Sequence, residues 1–275
     1  MQLGIFAKTF EGKSAAEVLP QVKAAGFATA QYNMACSGLP SLPDEIEDGV
    51  VAKIGVAARE SSVSLCALSS TYNMIHPDPL VREKGHGALR ALTKAASQLA
   101  IPLLTLCTGT RDPHDQWRWH PGNDGQDAWR DLLRSMERTI AIADEFGVDL
   151  GIEPELANVV SSAAKAKQLI GDMKSPRLRI VLDPANLFEI ATQGEQRRTV
   201  SYAIDLLAGH IAMAHAKDRA ADGAFVAAGK GVLDYPHFLG QLRKSGFTGP
   251  LVSHGLTAAE APAVAAFLRY QLERA

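Results

Sequence analysis

The chain has 275 residues, of which 47% are hydrophobic and 21% charged, with a formal net charge of −2. This near-neutral balance gives no electrostatic argument for a nucleic-acid or membrane-surface partner. No apolar run approaches the roughly 20 residues that span a bilayer, and the first residues lack the basic start and apolar core of a secretory signal. Three widely spaced cysteines in apolar surroundings, Cys36, Cys66 and Cys107, are typical of reduced residues in a cytoplasmic protein.

Strand-like and helix-like segments alternate along the whole chain. The predicted strands, in order, are residues 2–7, 27–33, 63–69, 102–107, 148–153, 178–182, 211–215 and 250–253. The helices predicted after them are residues 14–25, 44–60, 79–99, 125–146, 161–173, 195–207, 234–245 and 258–272. Eight strands, each followed by a helix, favour a parallel sheet with the helices outside. No G-x-G-x-x-G follows the first strand, so we predict one closed (β/α)8 barrel domain, residues 1–275, instead of an open doubly wound sheet.

The fifth predicted strand ends in two carboxylates, in the run Ile152-Glu153-Pro154-Glu155. Side chains alternate along a strand, so Glu153 and Glu155 are predicted to point to the same face. Two like charges side by side are unfavourable unless a cation or a polar substrate lies near them. Two solvated loop carboxylates are the simpler alternative.

The next three strands also end in residues that bind metals. The four candidates, Glu153, Asp183, His215 and His254, are separated by 30, 32 and 39 residues, about one strand and helix each. In a barrel of this kind the chemistry lies at the C-terminal ends of the strands. Two carboxylates and two imidazoles suit Mn²⁺, Zn²⁺, Co²⁺ or Fe²⁺ better than Mg²⁺ or Ca²⁺. The spacing therefore predicts one divalent metal site, with Mn²⁺ as the favoured ion.

These strand ends resemble those of the xylose isomerase-like barrel superfamily of sugar isomerases and epimerases, which also contains endonuclease-four-type repair nucleases and some dehydratases. The matching motifs are Ile152-Glu153-Pro154-Glu155, Asp183-Pro184-Ala185-Asn186-Leu187, His215-Ala216-Lys217-Asp218 and Gly249-Pro250-Leu251-Val252-Ser253-His254. The resemblance implies that Glu153, Asp183 and His215 bind the metal. The fourth ligand in relatives is usually a glutamate, and here it is His254.

This departure bears on the chemistry that the resemblance implies. Epimerases of this type use the glutamates after strands five and eight as two bases on opposite faces of the substrate. A metal-bound imidazole is a poor proton acceptor, so two-carboxylate epimerisation is in doubt. Glu153 is then the predicted catalytic base, with Glu155 as a second candidate.

The loops around the predicted site supply the candidate substrate ligands. The segment after strand four, residues 108–124, concentrates Arg111, two histidines and two tryptophans, and such residues bind anionic groups and stack on sugar faces. An ordinary lid, with its tryptophans packed on the barrel rim, is the alternative. The predicted substrate-binding residues are Arg111, Trp117, His120, Asn73, Asn186, Lys217 and Asp218. A Gly- and Ala-rich loop is predicted from strand seven to about Gly231.

The sequence thus predicts a metal-dependent isomerase or epimerase that removes a proton alpha to the carbonyl of a small sugar, keto-sugar or sugar phosphate. A dehydratase of a related polyhydroxy carbonyl compound, or a non-catalytic sugar-binding barrel, is the alternative. A nuclease is disfavoured because the chain shows neither a basic face nor the extra ligands of a three-metal site. The expected partner is a small polyhydroxy carbonyl compound, without nucleic acid or membrane, and a homo-oligomer is left open.

Overall fold

Eight parallel strands close into a barrel, as the sequence predicts. The computed structural model describes residues 1–275. Its strands are β1 Gln2–Phe6, β2 Thr29–Tyr32, β3 Ser64–Ser69, β4 Leu103–Leu106, β5 Asp149–Ile152, β6 Leu178–Leu182, β7 Ile211–Ala216, the short β8 Asp218–Arg219 and β9 Phe225–Val226, and β10 Pro250–Ser253. The barrel closes because β1 pairs in parallel with both β2 and β10. The antiparallel hairpin of β8 and β9 lies outside the barrel order, within a segment predicted to be a loop.

Eight helices follow the barrel strands and cover the outside of the sheet. They are α1 Ala15–Ala24, α2 Asp48–Ser61, α3 Pro79–Gln98, α4 Gln126–Phe146, α5 Ala163–Met173, α6 Gln193–Leu207, α7 Tyr235–Lys244 and α8 Ala261–Arg274. Local sequence fixes several of their starts: the Ser14 hydroxyl accepts the backbone N–H of Glu17, and Asp78 caps α3 just before Pro79. The largest error is at α2, which begins four residues later than predicted. None of these helices combines the length and apolarity that crossing a membrane requires.

The barrel interior is filled by a layer of small and branched side chains below the strand ends. Ala67, Leu103, Val181, Met213 and Val252 form one buried cluster there. The layer is tight, because a Cβ added at Gly151 would lie 2.8 Å from Val181 Cγ2. A larger core of 62 buried residues lies between the sheet and the helices. The side chains at the C-terminal ends of the strands therefore lie above a packed interior.

The cysteines agree with the sequence prediction. Cys36 and Cys107 are buried, Cys66 is half-buried, and all three are free thiols. Burial raises the pKa of the Cys36 and Cys66 thiols to about 11, so neither is a reactive thiolate near neutral pH.

Candidate active site

The four predicted metal ligands converge at the C-terminal ends of neighbouring strands. Glu153 follows β5, Asp183 follows β6, His215 lies in β7 and His254 follows β10. One candidate ligand atom from each residue can be chosen so that all four lie within 4.8 Å of one another. Asp183 and His215 are buried, whereas Glu153 and His254 are half-buried. The geometry predicted from sequence spacing is therefore present, with two ligands open to the space above them.

His215 is held on both sides of its ring. Its Nδ1 lies 3.1 Å from Glu153 Oε1 and 4.0 Å from Asp183 Oδ2. Its Nε2 lies 2.9 Å from Gln31 Oε1. An amide oxygen only accepts hydrogen bonds, so Nε2 carries a proton and donates to Gln31. The Nδ1 atom thus faces two carboxylates, and this contact is favourable when a proton or a metal cation lies between the groups.

Asp183 is the most strongly bound carboxylate of the cluster. Its Oδ2 lies 3.1 Å from Lys217 Nζ and 3.1 Å from His254 Nε2, and its Oδ1 accepts the backbone N–H of Ala185 at 2.9 Å. Burial alone would raise the pKa of Asp183, but the charge of Lys217 and then His254 hold it well below the usual range. Asp183 is therefore an anion near neutral pH.

The two glutamates after β5 lie in different electrostatic surroundings. Burial works against ionisation of Glu153, but the adjacent His215 outweighs it and lowers the pKa of Glu153; Asn186 Nδ2 also donates to Glu153 Oε1 at 2.8 Å. For Glu155, burial and then the charge of Glu153 raise the pKa to about 7. Glu155 has only a long contact with Asn158 Nδ2, at 3.5 Å. Glu153 is thus a fixed anion, whereas Glu155 is a carboxyl group without a strong partner.

His254 differs from His215 in its partners. Burial and then the neighbouring His215 lower the pKa of His254 to about 4, so it is neutral near pH 7 and able to bind a metal through a ring nitrogen. Two carboxylates and two imidazoles form a mixed oxygen and nitrogen donor set, which fits a divalent transition metal. The residues present therefore fit the cofactor that the sequence predicts.

A cavity of about 450 Å³ opens directly above this cluster. Glu153, Glu155, His215 and His254 all line it, which confirms that the two glutamates share a face. Only two of its 16 lining residues are hydrophobic. A cavity so polar suits a ligand with many hydroxyl groups better than an apolar one.

Three of the predicted substrate ligands line this cavity: Trp117, Asn186 and Lys217. Asn186 bridges the site, because it donates to Glu153 Oε1 and its Oδ1 accepts from Lys217 Nζ at 2.9 Å. Trp117 is half exposed at the cavity wall. These three side chains are in position to contact a bound ligand.

The structure does not bring the other four predicted substrate ligands to the cavity, and their hydrogen bonds give the reason. The Arg111 guanidinium lies 2.8 Å from Asp131 and 3.3 Å from Asp127 on α4, and it donates to the Ile75 carbonyl. Asn73 exchanges hydrogen bonds with both backbone groups of Thr110, at 2.8 and 3.1 Å. Both side chains therefore tie the loops together.

His120 and Asp218 also act within their own loops. His120 Nδ1 accepts the Gly122 backbone N–H at 3.0 Å at the start of a short 3-10 helix, Pro121–Asp124. Asp218 accepts backbone N–H groups from Arg219, Gly229, Gly231 and Leu233. The structure thus places these four side chains in contacts within the loops and not at the cavity.

Sequence reasoning missed residues that approach the site from strands outside the set that carries the candidate metal ligands. Gln31 on β2 and Thr105 on β4 line the cavity and are linked by a 3.0 Å hydrogen bond from Gln31 Nε2 to Thr105 Oγ1. Lys8, just after β1, also lines the cavity. One signal in the sequence could have identified such residues. They are polar, and they lie near the C-terminal end of a strand, on its inward-facing side, in strands where no metal ligand was predicted.

Comparisons with solved structures identify similar folds. A 3-keto-D-glucoside 4-epimerase from E. coli superposes with a TM-score of 0.77 at 14% identity, covering 98% of this chain and 99% of that one. An L-ribulose 3-epimerase gives 0.77 at 16% identity, covering 99% and 94%. A D-psicose 3-epimerase from Clostridium cellulolyticum H10, solved with D-tagatose, gives 0.74 at 17% identity, covering 99% of both chains.

Sequence comparisons identify the family to which the chain belongs. Curated proteins give no significant match to the sequence. Residues 19–270, however, match the sequence model of the family described as xylose isomerase-like TIM barrel. The match spans β2 to β10 and so includes all four residues of the acid and histidine cluster. The chain belongs to the xylose isomerase-like TIM barrel family.

Proposed function

We propose that the protein is a divalent-metal-dependent isomerase or epimerase that acts on a small sugar, keto-sugar or sugar phosphate. The observation that carries this proposal is the cluster of Glu153, Asp183, His215 and His254 under a polar cavity that also contains an additional carboxylate, Glu155. Family membership supports it, as do the epimerase activities by which the similar structures are named.

The four residues of the cluster would hold the metal, for which we favour Mn²⁺. When bound, such an ion supplies positive charge that polarises a substrate carbonyl and acidifies the carbon next to it. The protein supplies the orientation of the donors: Gln31 fixes His215, and Lys217 with the Ala185 backbone fixes Asp183. These contacts hold the donor atoms in place before a ligand arrives, so little reorganisation is needed on binding.

The proton alpha to the carbonyl would be removed by a glutamate of the β5 loop. Glu153 Oε1 already contacts Asn186 and His215, whereas Glu155 lines the same cavity with its oxygens nearly free. We therefore assign Glu153 mainly to the metal and Glu155 to proton transfer. Asn186 and Lys217 are placed to donate to substrate oxygens, and Trp117 to pack on an apolar sugar face.

The position of the bases bears on the product. Glu153 and Glu155 both follow β5, and His254 stands where relatives have a second glutamate, with its Nε2 against Asp183. A base on one side of the substrate suits isomerisation, in which one group moves a proton between adjacent carbons. Loss of a β-hydroxyl, a dehydration, also needs a single base and is the second candidate that His254 favours. Epimerisation would require a proton donor on the opposite face.

Exchange of solvent deuterium into the substrate tests the proposal. Keto-sugars, sugar phosphates and cyclitol ketones are screened with Mn²⁺ or Co²⁺, and deuterium at the carbon next to the carbonyl is measured by NMR. We expect Glu155→Gln to reduce exchange by roughly 10²–10⁴-fold, the usual contribution of a general base, while the variant still binds metal. Glu153→Gln should lose metal and exchange together.

A surface carboxylate provides the matched control. Glu260 pairs with Lys230 away from the cavity, so Glu260→Gln should keep the wild-type exchange rate. Exchange that is unchanged in both Glu153→Gln and Glu155→Gln would contradict the proton-transfer assignment. Absence of bound metal together with absence of exchange would instead favour a non-catalytic sugar-binding barrel.

A further inference from the structure

A buried amide lies on the side of His215 opposite to the carboxylates. Gln31 is 6% exposed and His215 is 3% exposed, so bulk water hardly competes with a hydrogen bond between their side chains. Gln31 Oε1 lies 2.9 Å from His215 Nε2, and Gln31 Nε2 donates to Thr105 Oγ1 at 3.0 Å. The three side chains form one chain of hydrogen bonds across the barrel mouth, from β4 through β2 to β7.

The amide selects one form of the neutral imidazole ring. With the proton on Nε2, His215 donates to Gln31 and presents the Nδ1 lone pair to the acidic cluster. With the proton on Nδ1, the Nε2 lone pair would face the amide oxygen, and two acceptors would be in contact. The Gln31 contact therefore favours the Nε2–H tautomer, which is the one that can bind a cation placed beside Glu153 and Asp183.

The backbone around Gln31 is shaped to bring this side chain inward. The register of β2 against β3 shifts between Ala30 and Gln31, so Ala30 pairs with Leu65 but Gln31 pairs with Ala67. The extra residue, Cys66, is left out of the pairing and its thiol donates to the Ala30 carbonyl. Bulges of this kind redirect side chains next to active sites. Here the shift places Gln31 beside the small Ala67 side chain, which leaves room for the longer one.

We propose that Gln31 is a positioning residue that holds His215 in the Nε2–H tautomer, with Nδ1 directed at the metal position. The proposal rests on the proposed function for the identity of the site, but it concerns a residue outside the predicted ligand set. Gln31 acts through His215 and not by contact with the ion. Thr105 supports the orientation of Gln31, because its hydroxyl oxygen accepts a hydrogen bond from the amide nitrogen of Gln31.

The first measurement uses metal-free protein. Long-range 1H–15N NMR of histidine-labelled protein reports which ring nitrogen is protonated, and a His215→Gln variant assigns the signals of His215. We expect Nε2 to carry a proton in the wild type, where Glu153 also attracts a proton to Nδ1. In Gln31→Leu, which keeps the volume but lacks the acceptor, we expect the proton on Nδ1 alone. An unchanged tautomer in Gln31→Leu overturns the proposal, whether or not the protein binds metal.

The second measurement is metal affinity, by calorimetric titration with Mn²⁺. Loss of a residue that orients a ligand typically weakens metal binding 10–100-fold, and we expect Gln31→Leu to fall in that range. Gln31→Glu keeps an acceptor oxygen toward Nε2 and should restore the tautomer and most of the affinity. Equal affinity of Gln31→Leu and wild type would refute the positioning role.

A matched control lies two residues earlier on the same strand. Thr29 is fully buried, and its hydroxyl donates to the Ser64 carbonyl away from the cavity. Thr29→Val removes one buried hydrogen bond and should leave both the tautomer and the metal affinity unchanged. If the wild type binds none of Mn²⁺, Co²⁺, Zn²⁺ and Fe²⁺, the proposed function fails, and the NMR measurement on metal-free protein still decides the role of Gln31.

Discussion

Lys217 is the cation closest to the acidic cluster, and its removal gives the most direct test of the electrostatics. Its Nζ lies 3.1 Å from Asp183 Oδ2 and 2.9 Å from Asn186 Oδ1, and its side chain is 8% exposed. The ring of Phe225 packs on the amine from the other side, with Nζ 3.8 Å from its centroid. Lys217→Met keeps most of the side-chain volume but leaves the Asp183 charge without this partner.

The size of the effect follows from burial. Removing one partner of a buried ion pair leaves an uncompensated charge and typically costs 3–5 kcal/mol. Asp183 is fully buried and retains His254 and the Ala185 N–H as partners, so we expect about 3 kcal/mol. For a chain of 275 residues that corresponds to a fall in Tm of roughly 5 °C. A bound divalent metal should recover much of the loss, because it neutralises the same carboxylates and binds only the folded state.

Urea unfolding measures this change in the presence of a chelator and again with excess Mn²⁺. The control is Lys230→Met, which breaks the exposed ion pair with Glu260 and should leave the midpoint nearly unchanged. In chelator, Lys217→Met should unfold at clearly lower urea than wild type, and Mn²⁺ should narrow the gap. Equal midpoints for Lys217→Met and Lys230→Met in chelator would show that the acidic cluster does not depend on the lysine charge.

Two further predictions concern stability away from the cavity. In α3, a Cβ at Gly85 would lie 2.2 Å from the Tyr72 ring, whereas one at Gly87 meets nothing within 4 Å; thermal unfolding should therefore show Gly85→Ala destabilised by roughly 1–3 kcal/mol and Gly87→Ala stabilised by about 0.5–1 kcal/mol. Burial lowers the pKa of His86 to about 4, so the folded state resists its protonation. The contribution of neutral His86 to the free energy of unfolding is complete above the unfolded pKa near 6.5, and it falls by about 3 kcal/mol as pH drops toward 4. Urea unfolding of His86→Leu at several pH values should lack this loss of stability between pH 6.5 and 4.

Most of the fold could be predicted because each element carries its own periodic signal. The predicted limits of β6 and β10 agree with the structure, and every barrel strand was found. The β8–β9 hairpin was missed because its strands have two residues each, too few for alternation to appear. The Asp218 side chain, in β8, accepts four backbone N–H groups, three of them from residues after β9, a contact pattern that no local sequence motif reveals.

Four predicted substrate ligands lie away from the cavity because the prediction used side-chain type without side-chain direction. Arg111 was selected because arginine binds anions, but Asp127 and Asp131 on α4 satisfy it within the protein. Asn73 and His120 were selected for their hydrogen-bonding groups, and both bond to neighbouring backbone. In loops no regular register fixes where a side chain points. Residue type alone therefore could not distinguish a substrate ligand from a residue whose hydrogen bonds stabilise the loop.

Within the strands, the direction of each side chain could have been predicted from the strand alternation, starting from the residues that fill the barrel interior. Successive side chains alternate between the two faces of a strand, so a residue two positions beyond an inward one also points inward. Two positions beyond each residue of the buried interior layer, Ala67, Leu103, Val181, Met213 and Val252, stand Ser69, Thr105, Asp183, His215 and His254. Of these five, four line the cavity and Asp183 lies buried among the cluster.

The same count separates residues that look alike in sequence. Lys217 is two positions beyond His215 and lines the cavity, whereas Asp218 is one position further and turns into its own loop. Gln31 is two positions beyond Thr29 and reaches His215 from β2, three strands away around the barrel. Composition gives no reason to prefer Lys217 over Asp218, or Gln31 over Tyr32. Register does, because the packed layer below determines which face of each strand is inside, and the chemistry of the site is built on that face.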